Sequence, residues 1–228
     1  MAVLVGAFVQ AVVGLGVGLV TAPLVAILEP SLMPALPLWF GLLVSGLSLA
    51  GERQHVDWRA IAWTLPARVP GTALGTWLVL VFTAQQLGMA VAVMVLVAVG
   101  LSLRAVDIPV TRVSLLSAGF TAGVTGTATS IGGPPIALLL QHRRPSEVRS
   151  TLAVFFFIGV VMSLVGLAVT DALPLASLVV AAIVSPGLLL GIWLGTRLRD
   201  RLPREQFRQG VLLVCAASAV ALLAKSVS

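Results

Sequence analysis

The stretch that decides the fold is residues 113–140, VSLLSAGFTAGVTGTATSIGGPPIALLL, which carries no charge and is broken at its centre. Its length exceeds the roughly 20 apolar residues that cross a bilayer as a helix. Its middle, residues 125–135, combines hydroxyl side chains with glycines and two adjacent prolines, a composition that cannot remain one continuous helix. The sequence therefore predicts a membrane segment that is interrupted at depth.

Further apolar stretches surround this segment on both sides. The chain is 59% hydrophobic and 10% charged, with a mean hydropathy of +1.11, far from the balance of a soluble domain. A β-barrel would show short alternating segments, which these unbroken runs do not. The predicted fold class is an all-α polytopic membrane protein. The other stretches that lack Lys, Arg, Asp and Glu over more than about 20 residues are 1–28, 30–51, 69–103, 150–170 and 172–196.

A collinear series of internal matches indicates a duplication. Phe8, Gly14 and Pro23 fall on Phe120, Gly126 and Pro135 at a shift of 112, the run Pro70-Gly71-x-x-x-Gly75 falls on Pro186-Gly187-x-x-x-Gly191 at a shift of 116, and Gly41 and Ser45 fall on Gly159 and Ser163 at a shift of 118. We predict a membrane repeat in 1–103, a cytoplasmic linker in 104–112 and a second membrane repeat in 113–228. The four segments of each repeat are expected near 1–28, 31–51, 60–82 and 86–103, and near 113–140, 148–170, 173–196 and 207–224.

The basic residues between these segments predict the topology. If all eight segments crossed fully, two arginine-containing loops would lie opposite the other two, against the positive-inside rule. If segment five instead enters and returns on one face, all four basic loops become cytoplasmic. Segment one has Gly14, Gly16, Gly18 and Pro23 in the matching place, and two re-entrant segments would make the halves inverted repeats. The loops predicted to be cytoplasmic are 51–59, 104–112, 141–149 and 197–208.

Irregular backbone at membrane depth occurs where protein buries it or water lines it, so the two broken segments predict a site near the midplane. Prolines favour the first turn of a helix, so each second arm is expected to begin at its break and to aim backbone N–H groups at an anion. The alternative is that the small residues serve helix packing and the hydroxyls bond the backbone. The predicted substrate-binding residues are Thr125, Gly126, Thr127, Thr129, Ser130, Gly132 and Gly133, with Gly14, Gly16, Gly18 and Thr21 from the first half. The predicted structural breakers are Pro23, Pro70, Pro134, Pro135 and Pro186.

Arg68 is the one charge well inside an apolar segment, nine residues beyond Arg59 and so near mid-bilayer at 1.5 Å per residue. Placing arginine there costs about 2.5–3.5 kcal/mol on insertion scales, and no acid lies at similar depth to pair with it. We expect Arg68 to contact an anion, with the alternative that it bonds carbonyls freed by Pro66 and Pro70. Its repeat equivalent is Val184, which would make the site asymmetric.

Several functions are disfavoured by what the apolar segments lack. Without Asp or Glu at depth, transport of metal cations is not expected, and without a nucleophile and base at depth neither is an enzyme. The single cysteine, Cys215, provides no cysteine cluster for a metal, and no cofactor is expected. The net charge of +6 follows from the cytoplasmic arginines and does not indicate nucleic acid.

The run Gly14-Leu15-Gly16-Val17-Gly18 with Pro23, the run from Gly126 to Gly132-Gly133-Pro134-Pro135, and the Pro-Gly-x-x-x-Gly pairs together resemble the TauE/SafE family of sulfite exporters over nearly the whole chain. The resemblance implies a multi-pass protein of the bacterial inner membrane that moves sulfite, organosulfonates or other small anions. We predict a secondary transporter whose two halves alternate access to the midplane site. A passive anion channel or uniporter and a non-transporting assembly subunit remain alternatives. The coupling ion, the direction of flux and the oligomeric state, including a homodimer, stay open.

Overall fold

A computed structural model describes residues 7–8, 17–51, 55–103, 108–198 and 204–227, with side chains from 209 to 226 in the last of these ranges. All regular structure in these ranges is helical, which confirms the predicted all-α class. Gly14, Gly16 and part of the predicted linker lie outside the described residues. The elements are α1 (Val17–Leu28), a 3-10 turn (Pro30–Leu32), α2 (Ala35–Gly51), α3 (Trp58–Val81), α4 (Ala84–Leu103), α5 (Arg112–Thr129), α6 (Gly133–Leu140), α7 (Pro145–Val169), α8 (Leu175–Leu198) and α9 (Arg204–Val227).

Four helices of the described chain are long and apolar enough to cross a membrane: α4, α7, α8 and the part Gln209–Ser226 of α9. Large apolar side chains on outward faces, including Val165, Ile183 and Leu213, are more than half exposed. A bilayer would cover such faces, whereas water would not favour them. The helices therefore agree with a multi-pass membrane protein.

The predicted interruption of segment five is present. Helix α5 ends at Ser130, whose φ of 62° and ψ of 14° are left-handed, and α6 begins at Gly133 with prolines in its first turn. The chain then reverses, since a Cβ built on Gly132 would lie 2.8 Å from the carbonyl oxygen of Ala122. Ile136 and Leu140 share one apolar cluster with Leu115, near the start of α5. Helix α6 thus runs back along α5.

The other predicted breakers do not break helices. Pro23 lies inside α1, Pro70 inside α3 and Pro186 inside α8. The prediction that a helix begins at Pro23 is therefore wrong. A proline removes one backbone hydrogen bond, and in a membrane bundle neighbouring helices and hydroxyl side chains compensate for that loss. Helix breaking at Pro134 and Pro135 differs because left-handed Ser130 and two glycines precede them.

Glycines bring α3 and α5 into backbone contact. A Cβ on Gly123 of α5 would lie 2.6 Å from the carbonyl oxygen of Arg68, and one on Gly75 of α3 would lie 2.7 Å from that of Val124. Small residues at this spacing allow such close crossings in membranes. The crossing fixes Arg68 beside the broken segment.

Contacts between helix ends show which helices begin at the same end of the bundle. Asp57, which caps α3, lies 3.9 Å from Arg143 and its backbone N–H donates to Thr151 near the start of α7 at 2.9 Å. Arg112, the first residue of α5, stacks over Trp63 at 5.1 Å. The starts of α3, α5 and α7 therefore meet at one end.

The opposite end gathers other termini. Lys225, near the end of α9, donates to the carbonyl of Ile27 at 2.8 Å, and Gln85 at the start of α4 donates to the carbonyl of Ser226. The ends of α1 and α9 and the start of α4 therefore lie together. Since α4 follows the end of α3, this end is opposite to the one where α3 begins.

Candidate functional site

Arg68 is the largest fully buried side chain of the described residues, with 1% of its surface exposed. It extends from α3 toward α7, where its guanidinium carbon lies 4.6 Å from the centre of the Phe155 ring. One turn further along α7 is Gly159, and a Cβ there would overlap the guanidinium. On the α5 side, a Cβ on Gly126 would lie 3.1 Å from Nη2. Three helices therefore enclose the guanidinium and leave no room for larger residues at either glycine.

Two nitrogens of the guanidinium, Nε and Nη1, are held by shape and by the face of the Phe155 ring rather than by an acceptor. Nε and Nη1 are buried and have no hydrogen-bond partner among the described residues. These two nitrogens therefore do not make the carbonyl bonds that were the alternative for Arg68. A stacked aromatic ring stabilises a desolvated cation by about 2 kcal/mol, less than the several kcal/mol that burying a charge costs. The ring therefore does not compensate the buried charge fully, and among the described residues no carboxylate is paired with Arg68.

A buried polar stripe continues from Arg68 along α3. Thr72 and Thr76 follow at intervals of four residues, are 6% and 5% exposed, and their Oγ1 atoms also have no partner within the described structure. Thr76 faces α7, since a Cβ on Gly166 would lie 2.8 Å from its Oγ1. Residues four apart lie on one helix face, so these groups form a line between α3 and α7. We call Arg68, Thr72 and Thr76 the polar stripe.

A second pair of hydroxyls lies beside the stripe. Thr127 Oγ1 and Ser163 Oγ are 2.8 Å apart and fully buried, and Ser163 also donates to the carbonyl of Gly159 at 3.0 Å. Thr127 also contacts α3, because a Cβ built on Gly75 of that helix would lie 2.8 Å from the Cβ of Thr127. Of the predicted hydroxyls, Thr127 is the one the structure joins to the α3–α7 contact.

Other predicted binding hydroxyls bond their own helices. Thr21, Thr125 and Thr129 each donate to the carbonyl four residues earlier, at 2.9, 2.9 and 2.7 Å. Such bonds are common for buried threonine and serine in helices. For these three residues the backbone-bonding alternative describes the structure.

The turn of segment five and helix α1 meet through backbone. A Cβ on Gly18 of α1 would overlap the carbonyl oxygen of Ser130, and the Ser130 hydroxyl donates to the carbonyl of Pro34 at 2.8 Å. Gly132 lies against Gly126, which in turn borders the Arg68 guanidinium. The segment-five turn therefore connects Arg68 with the first half of the chain. Gly133 is buried at the start of α6.

Sequence reasoning missed Phe155, Gly159, Thr72 and Thr76. The threonines carried a signal, because they follow Arg68 at helical spacing within one apolar segment. Gly159 was noted as a repeat match only. Phe155 gave no signal, since it is one of three consecutive phenylalanines.

A surface cavity of about 480 Å³ lies at the end where α3 and α7 begin. Its lining includes Arg59, Arg143 and Arg144, together with Asp57 and Glu147. Arg143 lies 3.5 Å from Glu147 in addition to its contact with Asp57. These five side chains give the cavity a net charge of +1, and this bias draws anions toward it. We call this cavity the basic mouth.

Comparisons with known proteins identify a family and a curated relative that this chain resembles. The sequence profile of the family described as "Sulfite exporter TauE/SafE" matches residues 1–222. A curated relative from Cupriavidus necator, described as "Probable sulfite/organosulfonate exporter TauE", is 26% identical over 204 residues, which cover 84% of this chain and 79% of that protein. No solved structure matches the chain significantly.

Proposed function

The chain belongs to the TauE/SafE family of sulfite exporters, and we propose that it is a secondary transporter that moves sulfite or organosulfonates out of the cell. Members of this family are exporters and not enzymes. A small anionic substrate and a membrane location follow from the family and from the apolar helices. The observation that carries the proposal is the guanidinium of Arg68, which is buried among α3, α5 and α7 and whose Nε and Nη1 have no hydrogen-bond partner among the described residues.

In the proposed site, Arg68 supplies the charge and the nitrogen donors for the oxygens of the anion. Guanidinium suits oxyanions because its planar N–H groups match their oxygen atoms. Thr72 and Thr76 provide hydroxyls further along α3, and Thr127 and Ser163 provide a second pair. The turn at Ser130–Gly133 forms one side of this proposed site. Its Gly132 lies against Gly126, which borders the guanidinium. We no longer assign direct contacts to Thr21, Thr125 and Thr129, whose hydroxyls bond backbone.

We propose that segment five is re-entrant and that all four basic loops are cytoplasmic. The return of α6 along α5 and the meeting of the starts of α3, α5 and α7 support this topology. A matching re-entrant segment one would make 1–103 and 113–228 inverted repeats, which alternate access by rocking against each other. The backbone contact between Gly18 and Ser130, which places the start of α1 at the turn of segment five, supports this arrangement.

Cysteine labelling tests this topology. With Cys215 changed to serine, Val110→Cys and Ser146→Cys are expected to react from the cytoplasmic side, because both flank the joined ends of α5 and α7. Thr83→Cys, between α3 and α4, is expected to react from outside. Labelling of positions 110 and 146 from opposite sides would show that segment five crosses the membrane.

Flux through purified protein in liposomes tests the transport function. A saturable sulfite flux that responds to an ion gradient is the expected result. Near-ohmic currents would instead indicate a passive channel. No flux of sulfite, sulfonates or sulfur-free organic anions would contradict transport and favour an assembly subunit.

The two stripe threonines give a test that separates transport from stability. A buried hydroxyl without a partner costs about 1–3 kcal/mol, so Thr72→Val with Thr76→Val is expected to raise the free energy of unfolding. If the hydroxyls contact the moving anion, the same double variant lowers flux by about tenfold, the loss of roughly 1.4 kcal/mol. Thr64→Val is the matched control, because Thr64 lies one turn before Arg68 and already bonds the carbonyl of Ala60 at 2.8 Å. Flux equal to wild type in the double variant would assign these threonines to packing alone.

A further inference from the structure

Arg68 has a single positive charge and no charged neighbour in the described helices that enclose it. The residues facing its guanidinium are Gly126 on α5 and Phe155 and Gly159 on α7, none of which titrates. On its own helix the next residues of the stripe are threonines. The sequence of α6, which packs against α5, contains no charged residue either. The local charge is therefore +1 at any pH between mildly acidic and mildly basic.

The nearest charged residues on α3 and α7 are arginines near the starts of these helices. Arg59 precedes Arg68 by nine residues, about 14 Å along α3. Arg149 precedes Phe155 by six residues and Gly159 by ten, about 9 Å and about 15 Å along α7. Both arginines are exposed near the starts of α3 and α7, where solvent screens them. Neither arginine can therefore compensate a second negative charge on an anion at the depth of Arg68.

Resting on the proposed function, we propose that the transported species is a monoanion, namely hydrogensulfite or a sulfonate without a second ionised group, and that dianions are excluded. One negative charge at Arg68 forms a neutral pair in the low-dielectric interior. A dianion would leave one uncompensated negative charge there, and burying an unpaired charge is strongly unfavourable. Charge, rather than shape alone, then separates hydrogensulfite from sulfite and sulfonates from sulfate.

Sulfur chemistry makes the proposal measurable. Sulfite exchanges between monoanionic hydrogensulfite and the dianion near neutral pH, methanesulfonate is a monoanion throughout this range, and sulfate is a dianion. In proteoliposomes at fixed total anion, sulfite flux is expected to fall as pH rises, in proportion to the hydrogensulfite fraction. Methanesulfonate flux is expected to stay constant, and sulfate flux to be at least about tenfold lower. Protein-free liposomes give the leak of neutral sulfur dioxide, which is subtracted.

Methanesulfonate also reports any effect of pH on the protein, because it carries the same charge at every pH tested. A parallel fall of both fluxes would therefore contradict selection by the charge of sulfite. Sulfite flux that rises with pH, or sulfate flux equal to that of methanesulfonate, would overturn the monoanion proposal while transport itself stands. Absence of flux for all three anions would instead remove the proposed function.

The conservative variant provides a second readout. Arg68→Lys keeps the charge while changing the geometry, so it is expected to transport more slowly but to keep the preference for methanesulfonate over sulfate. A loss of that preference in Arg68→Lys would show that geometry, not charge, sets the selectivity.

Discussion

Arg68→Ala is expected to reduce sulfite flux at least 100-fold while the protein remains folded. The variant removes the one positive charge at depth, and an anion entering the site would then be buried without a counter-charge. That penalty is several kcal/mol per ion, and about 2.7 kcal/mol already gives 100-fold. The measurements are the initial sulfite flux per reconstituted protein and the affinity of the detergent-solubilised protein for sulfite.

Stability separates this prediction from a structural role. Because Nε and Nη1 of Arg68 have no partner in the described structure, removing them breaks no hydrogen bond, and removal of an unpaired buried charge favours the folded state. The lost packing against Phe155 acts in the opposite direction, so the unfolding temperature is expected to stay close to that of the native protein. Val184→Ala, at the matching position of the second repeat, is the control and is expected to retain flux. A folded Arg68→Ala protein with native flux would falsify the anion site.

Part of this fold could be predicted from the order of residues along the chain. Charge-free runs gave the helices, because a bilayer accepts only long apolar segments with their backbone bonds satisfied. The break near Ser130 followed from two glycines before two prolines, a local property. Arg68 was identified because a lone charge at depth stands out against apolar neighbours.

The remaining features depend on contacts between distant segments. Pro70 and Pro186 look like breakers in isolation, yet their helices continue because packing compensates for one lost bond. Whether a threonine hydroxyl bonds its own helix or another helix depends on what faces it. Thr125 bonds a carbonyl of its own helix, whereas Thr127 bonds Ser163 on α7. The partners of Arg68 on α7 are more than 80 residues away in the chain. No local pattern indicates that Phe155 and Gly159 would enclose it.

Gly159→Ala is expected to lower flux by at least tenfold through the position of Arg68 rather than its charge. A Cβ at this glycine would overlap the guanidinium, so Arg68 must shift away from Phe155. Displacing a side chain in a packed core costs about 1–3 kcal/mol, and the donors would no longer face their present direction. The measurements are flux, the sulfite concentration at half-maximal flux, and thermal unfolding.

The repeat supplies the control for this variant. Gly41 is the equivalent of Gly159 in the first half, and a Cβ there would meet a methyl group of Val160 at 3.4 Å. Gly41→Ala therefore makes the same chemical change on a matching helix without touching Arg68, and it is expected to retain flux. Equal losses in both variants would indicate general damage to helix packing.

Combining the two substitutions at the site tests whether they act through one side chain. In the Arg68→Ala protein the guanidinium that collides with the new methyl group is absent, so adding Gly159→Ala is expected to cost almost no further stability. The effects of the single variants would then be strongly non-additive, as expected for residues in direct contact. Additive losses of stability would mean that Gly159 is required for contacts other than Arg68. The expected non-additivity would instead show that position 159 requires glycine because the Arg68 guanidinium occupies the space of a side chain there.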